Sequence, residues 1–257
     1  MCGFLQVIER GRPVAEARFR AAFDLIQHRG PDYHATWFRT LPTRAGPLAV
    51  AAGHHRLAIL DLDERSHQPF HRGAHTLLFN GEVYNFADLK KEAALRDIAW
   101  ETTGDTEVLC EGLRRIGPEF LHRANGMWAL TLLDAEALTL FASCDRYGKK
   151  PLFWYQDETT LCFASTIAAI CHYLDYRPIL REQPLQEYLL TGKMFPPADD
   201  STHVERIRRV PGGHHLRVNL ATWQARLETF FQPARDQLRH TGDQDALAEI
   251  VRDAARV

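Results

Sequence analysis

Long apolar stretches are missing from this sequence. The most continuous one, residues 127–133, is stopped by Asp134 and falls well short of the roughly 20 residues that a membrane-spanning helix needs. An excess of charge of either sign is missing too: 31 Lys and Arg stand against 33 Asp and Glu, a formal net charge of -2, so no broad field draws a nucleic-acid backbone or an anionic membrane. Cysteine is scarce. The five residues Cys2, Cys110, Cys144, Cys162 and Cys171 are odd in number and contain no C-x-x-C pair, which argues against a disulfide framework. With no signal-peptide pattern at the start of the chain, the expectation is a reducing cytoplasm. There is no P-loop, dinucleotide fingerprint, internal repeat or low-complexity tract. What is present is the composition of an ordinary folded protein, 45% hydrophobic and 25% charged, and the expected ligand is small, with no nucleic-acid or membrane partner.

Residues 3–8 alternate bulky apolar side chains and predict a strand that starts immediately after Cys2. A helix is expected over 15–27, ended by Gly30 and Pro31, and strands over 34–39, 48–55 and 76–80. Asn85 is a candidate N-cap for a helix to 95, and Thr103 or Asp105 starts another that Gly117 and Pro118 break. Four short strands follow at 127–134, 138–144, 152–155 and 161–164, then helices to 173 and over 183–190. A Pro-rich loop holds Pro196 and Pro197, a terminal hairpin spans 214–219 and 222–227, and an amphipathic helix covers 245–256. Strands cluster in hairpin-like pairs instead of alternating with helices, which predicts an α+β layered sandwich over a doubly wound parallel sheet.

The chemistry starts at Met1-Cys2-Gly3. A small second residue permits removal of the initiator Met, leaving Cys2 with a free α-amine, so that one residue supplies nucleophile and base. An α-amine has a reference pKa of about 7.7–8.0 and is partly unprotonated near neutrality. Cysteine at position 2 has an accidental reading as well, as do the other candidates taken singly: Arg56 as an ion-pair arginine, Asp105 as an N-cap, Asn80-Gly81 as a hairpin turn. His67, His71 and His75 recur at four-residue intervals, but Pro69 and Gly73 interrupt any shared helical face, so a loop without a metal is expected.

Company raises the chemical reading. HRGPD at 28–32, HRLAILDL at 55–62, HQPF at 67–70, FNGEVYN at 79–85, TGDTEV at 103–108 and DRYGKKPLF at 145–153 occur in one chain. Together they resemble the class II glutamine amidotransferase domain of asparagine synthetases. That resemblance implies an N-terminal-nucleophile (Ntn) hydrolase fold, an αββα sandwich of two antiparallel sheets. It implies that Cys2 attacks the side-chain amide of L-glutamine to form a glutamyl thioester, with Asn80 and Gly81 as the oxyanion hole. Arg56 matches the residue that grips the α-carboxylate, Glu82 and Asp105 the acids that receive the α-ammonium, and Leu57, Ile59 and Leu60 the pocket lining. His28 and Arg29 match a loop that shapes the pocket without a settled contact to substrate. No cofactor is implied for this domain, since ATP and Mg belong to a synthetase domain or subunit that accepts the ammonia.

The sequence departs from that family at Cys144, where relatives commonly carry an arginine before the Asp-Arg pair, and it contains no Ser-Gly-Gly-x-Asp-Ser loop of an ATP-pyrophosphatase domain. The expected division is an amidotransferase domain over 1–220 and a hairpin and helix over 221–257 leading toward that absent domain. Two other readings stay open: a glutamine-binding module without turnover, and an Ntn acylase on another amide. Intact-mass measurement of the mature chain is expected to show loss of Met1; retention would lock the Cys2 amine in a peptide bond and leave the protein inactive.

Overall fold

The computed structural model describes residues 1–192 and 199–232. The Pro196-Pro197 loop and the helix expected over 245–256 lie outside the described residues. In chain order the elements are β1 (Gly3–Arg10), α1 (Glu16–Asp24), β2 (Tyr33–Leu41), β3 (Leu48–Arg56), β4 (Phe70–Arg72), β5 (His75–Val83), α2 (Phe86–Leu89), α3 (Asp105–Arg115), β6 (Gly126–Asp134), β7 (Thr139–Cys144), β8 (Phe153–Gln156), β9 (Thr160–Ala164), α4 (Ile167–Leu174), α5 (Glu182–Thr191), β10 (Arg208–Arg209), β11 (His214–Asn219) and β12 (Gln224–Thr229).

Two six-stranded sheets stack face to face, in the orders β10-β8-β9-β1-β3-β2 and β12-β11-β7-β6-β5-β4, and the strand pairings within them are antiparallel. Alternation along each strand divides its apolar residues between two faces. Phe4 and Ile8 of β1, with Val50 and Ala52 of β3, meet Leu78, Leu133, Leu140 and Val218 of the second sheet in the central layer. The opposite faces need cover of their own. Leu5 and Val7 pack under Phe19 and Phe23 of α1 and Ile170 of α4, and Leu77, Phe79 and Leu130 pack under Val108, Leu109 and Leu113 of α3. The result is a four-layer αββα sandwich, the arrangement that the resemblance implies and in line with the α+β layered sandwich predicted from the clustered strands.

Local expectations fail where packing overrides pattern. The helix expected over 85–95 stops after Leu89 and gives way to a 3-10 turn at Ala93–Leu95. Leu89 and Leu95 are both buried in the same cluster; six residues apart on one straight helix they would point in widely different directions, and the break lets both reach the core. Asn85 does not cap that helix: its Nδ2 donates to the Arg123 carbonyl at 2.9 Å and its Oδ1 accepts from the Asn125 amide at 2.8 Å. The helix expected over 15–27 ends at Asp24, followed by a 3-10 turn at Gln27–Arg29. The second strand of the terminal hairpin, placed by sequence with the extension from 221, is the edge strand of the second sheet. Most relevant to the site, β5 runs to Val83, so Asn80 and Gly81 lie within a strand and form no hairpin turn.

Candidate active site

Pairing of Gly3 with His55 sets the start of β1 beside the end of β3, which brings Cys2 next to Leu57. The Leu57 amide lies 3.4 Å from the Cys2 sulfur and the Leu57 carbonyl 3.6 Å from it. Burial pushes the Cys2 thiol above its ordinary pKa; the Leu57 amide, the terminal ammonium and Arg56 offset this only in part. Arg29 holds the other side of the residue, its Nε donating to the Cys2 carbonyl at 3.0 Å. A Cβ on Gly3 would sit 2.8 Å from the Arg29 Cδ, and one on Gly30 2.4 Å from the His55 carbonyl oxygen. The HRGPD segment is therefore a brace pressed directly on the strand ends, and Asp32 completes it by accepting from the Ala58 amide at 2.8 Å.

Across from Cys2, β5 extends beyond its short neighbour β4, which pairs only with residues 75–77. Its backbone groups on that side need other partners. The Phe79 amide donates to Gln68 Oε1 at 2.6 Å, while Gln68 Nε2 donates to the Phe79 carbonyl at 3.1 Å, so a side-chain amide replaces a strand. The Val83 amide donates to Asp105 Oδ2 at 2.8 Å. By strand alternation the amide of Gly81 points the same way as those of Phe79 and Val83, and no acceptor among the described residues meets it. The neighbouring Asn80 Nδ2 is buried and also has no partner. Two adjacent donors are thus unspent in a structure that satisfies their neighbours.

Gly81 tolerates no side chain, since a Cβ there would lie 2.2 Å from the Met127 carbonyl oxygen. His54 supports the strand from beneath, its Nε2 3.0 Å from the Phe79 carbonyl, and burial depresses its pKa to about 3, so it is neutral near pH 7.

Cys2, Arg56, Leu57, Ile59, Leu60, Asn80, Gly81, Glu82 and Asp105 line one pocket of about 170 Å³. The structure therefore brings together every site residue predicted from sequence. Gln68, Thr106, Met127 and Lys150 share the wall; Gln68, Thr106 and Lys150 lie in motifs noted in the sequence, but residue type alone gave them no role. Lys150 is carried there by a loop pinned at its start by Asp145, which accepts from the amides of Trp128, Tyr147, Lys149 and Lys150 at 3.0–3.2 Å. Cys144, the departure noted in the sequence, donates from Sγ to the Lys150 carbonyl at 2.9 Å and so fixes the same loop.

The charges of the pocket are arranged by sign. Arg56 donates from Nη1 to the Asp63 carbonyl at 3.1 Å and from Nη2 to the carbonyls of Leu60, at 3.1 Å, and Asp61; among the described residues part of its donor fork meets no acceptor. Burial raises the Asp105 carboxyl to about 6, against the pull of the Val83 amide, with Glu82 nearby adding to the rise. Asp61 behaves oppositely. Burial works against its charge, yet Thr103 and the Asp63 amide outweigh it and hold the carboxyl down at about 2. Its Oδ2 accepts from the Thr103 amide at 2.6 Å, tying the Arg56 loop to the segment that precedes Asp105.

The three histidines at four-residue spacing go separate ways. His67 stacks on Tyr33, with ring centroids 3.4 Å apart, His71 bonds Thr76, and His75 faces Asp134. Among the described residues no group of three or more His, Cys, Asp or Glu is placed to hold a metal ion, and no helix is long and apolar enough to cross a membrane.

A model of the glutamine amidotransferase domain matches residues 1–231. Asparagine synthetase (glutamine-hydrolyzing) 3 of Bacillus subtilis is 34% identical over 173 residues, 66% of this chain and 27% of that protein. Asparagine synthetase (glutamine-hydrolyzing) 2 of the same organism is 29% identical over 242 residues, 90% of this chain and 30% of that protein. The chain spans about a third of the length of such curated relatives. Among solved structures, the glutamine phosphoribosylpyrophosphate amidotransferase from B. subtilis, complexed with ADP and GMP, superimposes with a TM-score of 0.60 at 17% identity, covering 90% of this chain and 50% of that one. That likeness shows the fold, the αββα sandwich of Ntn hydrolases.

The Asp61 clamp gives a test by linkage. Its folded pKa is lowered from 3.8 to about 2, so its contribution is present above the unfolded value and is lost as pH falls toward about 2. The side chain is only 2% exposed. Asp61→Asn is expected to unfold in urea with about 2 kcal/mol less stability than wild type at pH 7, the gap narrowing as the pH is lowered. Equal stability at neutral pH would show that the clamp contributes nothing.

Proposed function

The chain belongs to the glutamine amidotransferase domain family, and from that membership we propose that it hydrolyses free L-glutamine to glutamate and ammonia with Cys2 as the nucleophile. The observation that carries this reading is the pair of unspent donors, Asn80 Nδ2 and the Gly81 amide, in the pocket that holds a thiol. A buried donor without a partner costs about 1–3 kcal/mol. A site that stabilises developing negative charge recovers that cost at the moment of reaction.

In the proposed sequence, Met1 is removed and the freed Cys2 amine takes the thiol proton as sulfur attacks the δ-carbonyl carbon. Met1 lines the pocket, so its loss also opens room. The carbonyl oxygen becomes an oxyanion held by Asn80 and Gly81. Collapse breaks the C–N bond, the proton passes to the leaving nitrogen, and ammonia departs from a glutamyl thioester. Water then attacks the thioester, giving glutamate and restoring the thiol. The base is needed because burial keeps the thiol protonated.

Both ends of the substrate have counterparts. The free part of the Arg56 fork suits an α-carboxylate, and Asp105 with Glu82 suits an α-ammonium; a peptide-bound glutamine lacks both charges. Activation of an acceptor by ATP and Mg belongs in this reading to a synthetase domain or subunit that receives the ammonia in an asparagine-synthetase-like amidation, in the cytoplasm.

A glutamate-release assay without ATP is expected to detect turnover that Cys2→Ala abolishes and that Asn80→Ala lowers by about 10²–10³ in kcat. Equal rates for wild type and Cys2→Ala would remove Cys2 from the mechanism. Saturable glutamine binding without turnover in a chain proven to lack Met1 would favour a binding module.

Asp105 sets the pH response. Its folded pKa lies above the ordinary 3.8, at about 6, so the native chain holds an extra proton in that window and the empty protein loses stability as pH rises through it. Substrate needs the ionised form. KM for glutamine is expected to rise as pH falls below about 6, by up to about tenfold per unit, and Asp105→Asn is expected to have a high KM at every pH. A flat wild-type profile between pH 5 and pH 7, both bracketing the value of about 6, would contradict the assignment.

A further inference from the structure

A second cavity, of about 410 Å³, is lined by Glu9 and Tyr173 and lies at the other end of β1 from the Cys2 pocket. Glu9 lies seven residue steps of extended chain from Cys2, roughly 23 Å at about 3.3 Å per step, so the two cavities do not share a ligand. The floor is internally satisfied. The Glu9 carboxylate accepts from Arg12 Nε at 2.8 Å, the Thr160 hydroxyl at 2.9 Å and the Tyr173 hydroxyl at 2.6 Å, and the Tyr155 hydroxyl donates to Asp157 at 2.8 Å.

The rim is not satisfied. The Tyr176 hydroxyl is buried and has no hydrogen-bond partner among the described residues. Asp175 makes no side-chain hydrogen bond or ion pair among the described residues. Among the described residues Arg18 reaches only the Tyr173 carbonyl, at 3.5 Å. Arg206 donates to the Tyr155 hydroxyl at 2.6 Å and lies over the rings of Tyr155 and Tyr176, with no acid paired to it among the described residues. Asp175 holds left-handed backbone, φ 53, as the residue that ends α4, and Arg206 holds it at φ 66.

We propose that this cavity binds an α-amino dicarboxylate. Apart from the Glu9–Arg12 pair and Asp157, whose carboxylate is taken up by the Tyr155 hydroxyl and the amides of Thr159 and Thr160, the lining charges are two guanidinium groups and one carboxylate, and such a ligand presents two carboxylates and one ammonium, one complement for each. A neutral amino acid leaves one guanidinium unmatched. A phosphate or a plain dicarboxylate sets an anion against Asp175 with nothing to bridge them. The Tyr176 hydroxyl supplies the remaining neutral hydrogen bond, and the volume falls in the range of about 300–1,000 Å³ usual for small-molecule sites. Aspartate and glutamate share this chemistry.

Isothermal titration of the whole chain with L-aspartate and with L-glutamate tests the proposal and tells the two sources apart by affinity. Saturable binding at one site is expected for at least one of them. It should persist in Asp105→Asn, which alters the other pocket, and weaken by at least about tenfold in Arg206→Ala. Tyr176→Phe removes only the unpartnered hydroxyl and is expected to weaken binding without lowering the temperature of thermal unfolding, which keeps the test open should Arg206→Ala fold poorly. Succinate, which lacks only the ammonium of aspartate, should bind more weakly than aspartate to wild type and as well as aspartate to Asp175→Asn. Absence of saturable heat up to about 10 mM, binding lost in Asp105→Asn but unmoved by Tyr176→Phe, or a preference for inorganic phosphate would each overturn the assignment. None of these outcomes depends on whether glutamine is hydrolysed.

Discussion

The site depends on a mismatch of strand lengths. β5 is nine residues long and its outer neighbour β4 three, so beyond residue 77 one side of β5 has no strand to satisfy it. A backbone edge inside a folded protein must find acceptors or stay open to water or ligand. Here Gln68 takes up Phe79 and Asp105 takes up Val83, and the position between them is left with its donor unmatched. Lengthening β4 would pair the Gly81 amide and close the pocket wall.

The residue that caps Val83 is therefore not free to be anything else. Asp105 must be close enough to accept a backbone amide and must also face the pocket, and the first turn of α3 meets both demands. Burial in that position raises its pKa to about 6, a cost that an arriving ammonium would relieve. The same logic applies to Arg56, which holds the carbonyls of Leu60, Asp61 and Asp63. The groups proposed to read the substrate's charges are also those that hold the pocket loops in shape.

Much of this was legible in the sequence because the residues concerned are rare in combination. Cys2 before an apolar strand, Asn80-Gly81, Arg56 and Asp105 each carry chemistry in their side-chain type or in the lack of a side chain, and they converge on one pocket. What the sequence concealed is of a different kind. Gln68, Asp61 and Arg29 act through backbone groups 11, 42 and 27 residues away, and partnership over such separations leaves no periodic trace. The extension of β5 through Asn80 and Gly81 was hidden for a related reason: an Asn-Gly pair favours a turn locally, and only the facing strand β6, pairing Asn80 with Ala129 and Gly81 with Trp128, keeps the chain extended.

That strand placement explains why glycine and no other residue stands at 81. A turn would call for glycine by its left-handed backbone; a strand does not. Here the requirement is space, because the Met127 carbonyl oxygen lies 2.2 Å from where a Cβ would be, and β6 would have to move away to admit one. Movement of β6 would carry Trp128 and the Asp145 loop with it, since Asp145 accepts from the Trp128 amide, and Lys150 would leave the pocket wall. One missing side chain thus keeps the second sheet closed behind the unspent donor, while the register of Gly3 with His55 in the first sheet keeps the sulfur in front of it. The pocket exists because two sheets, each fixed by its own pairing, bring the start of β1 against the side of β5 that β4 leaves open.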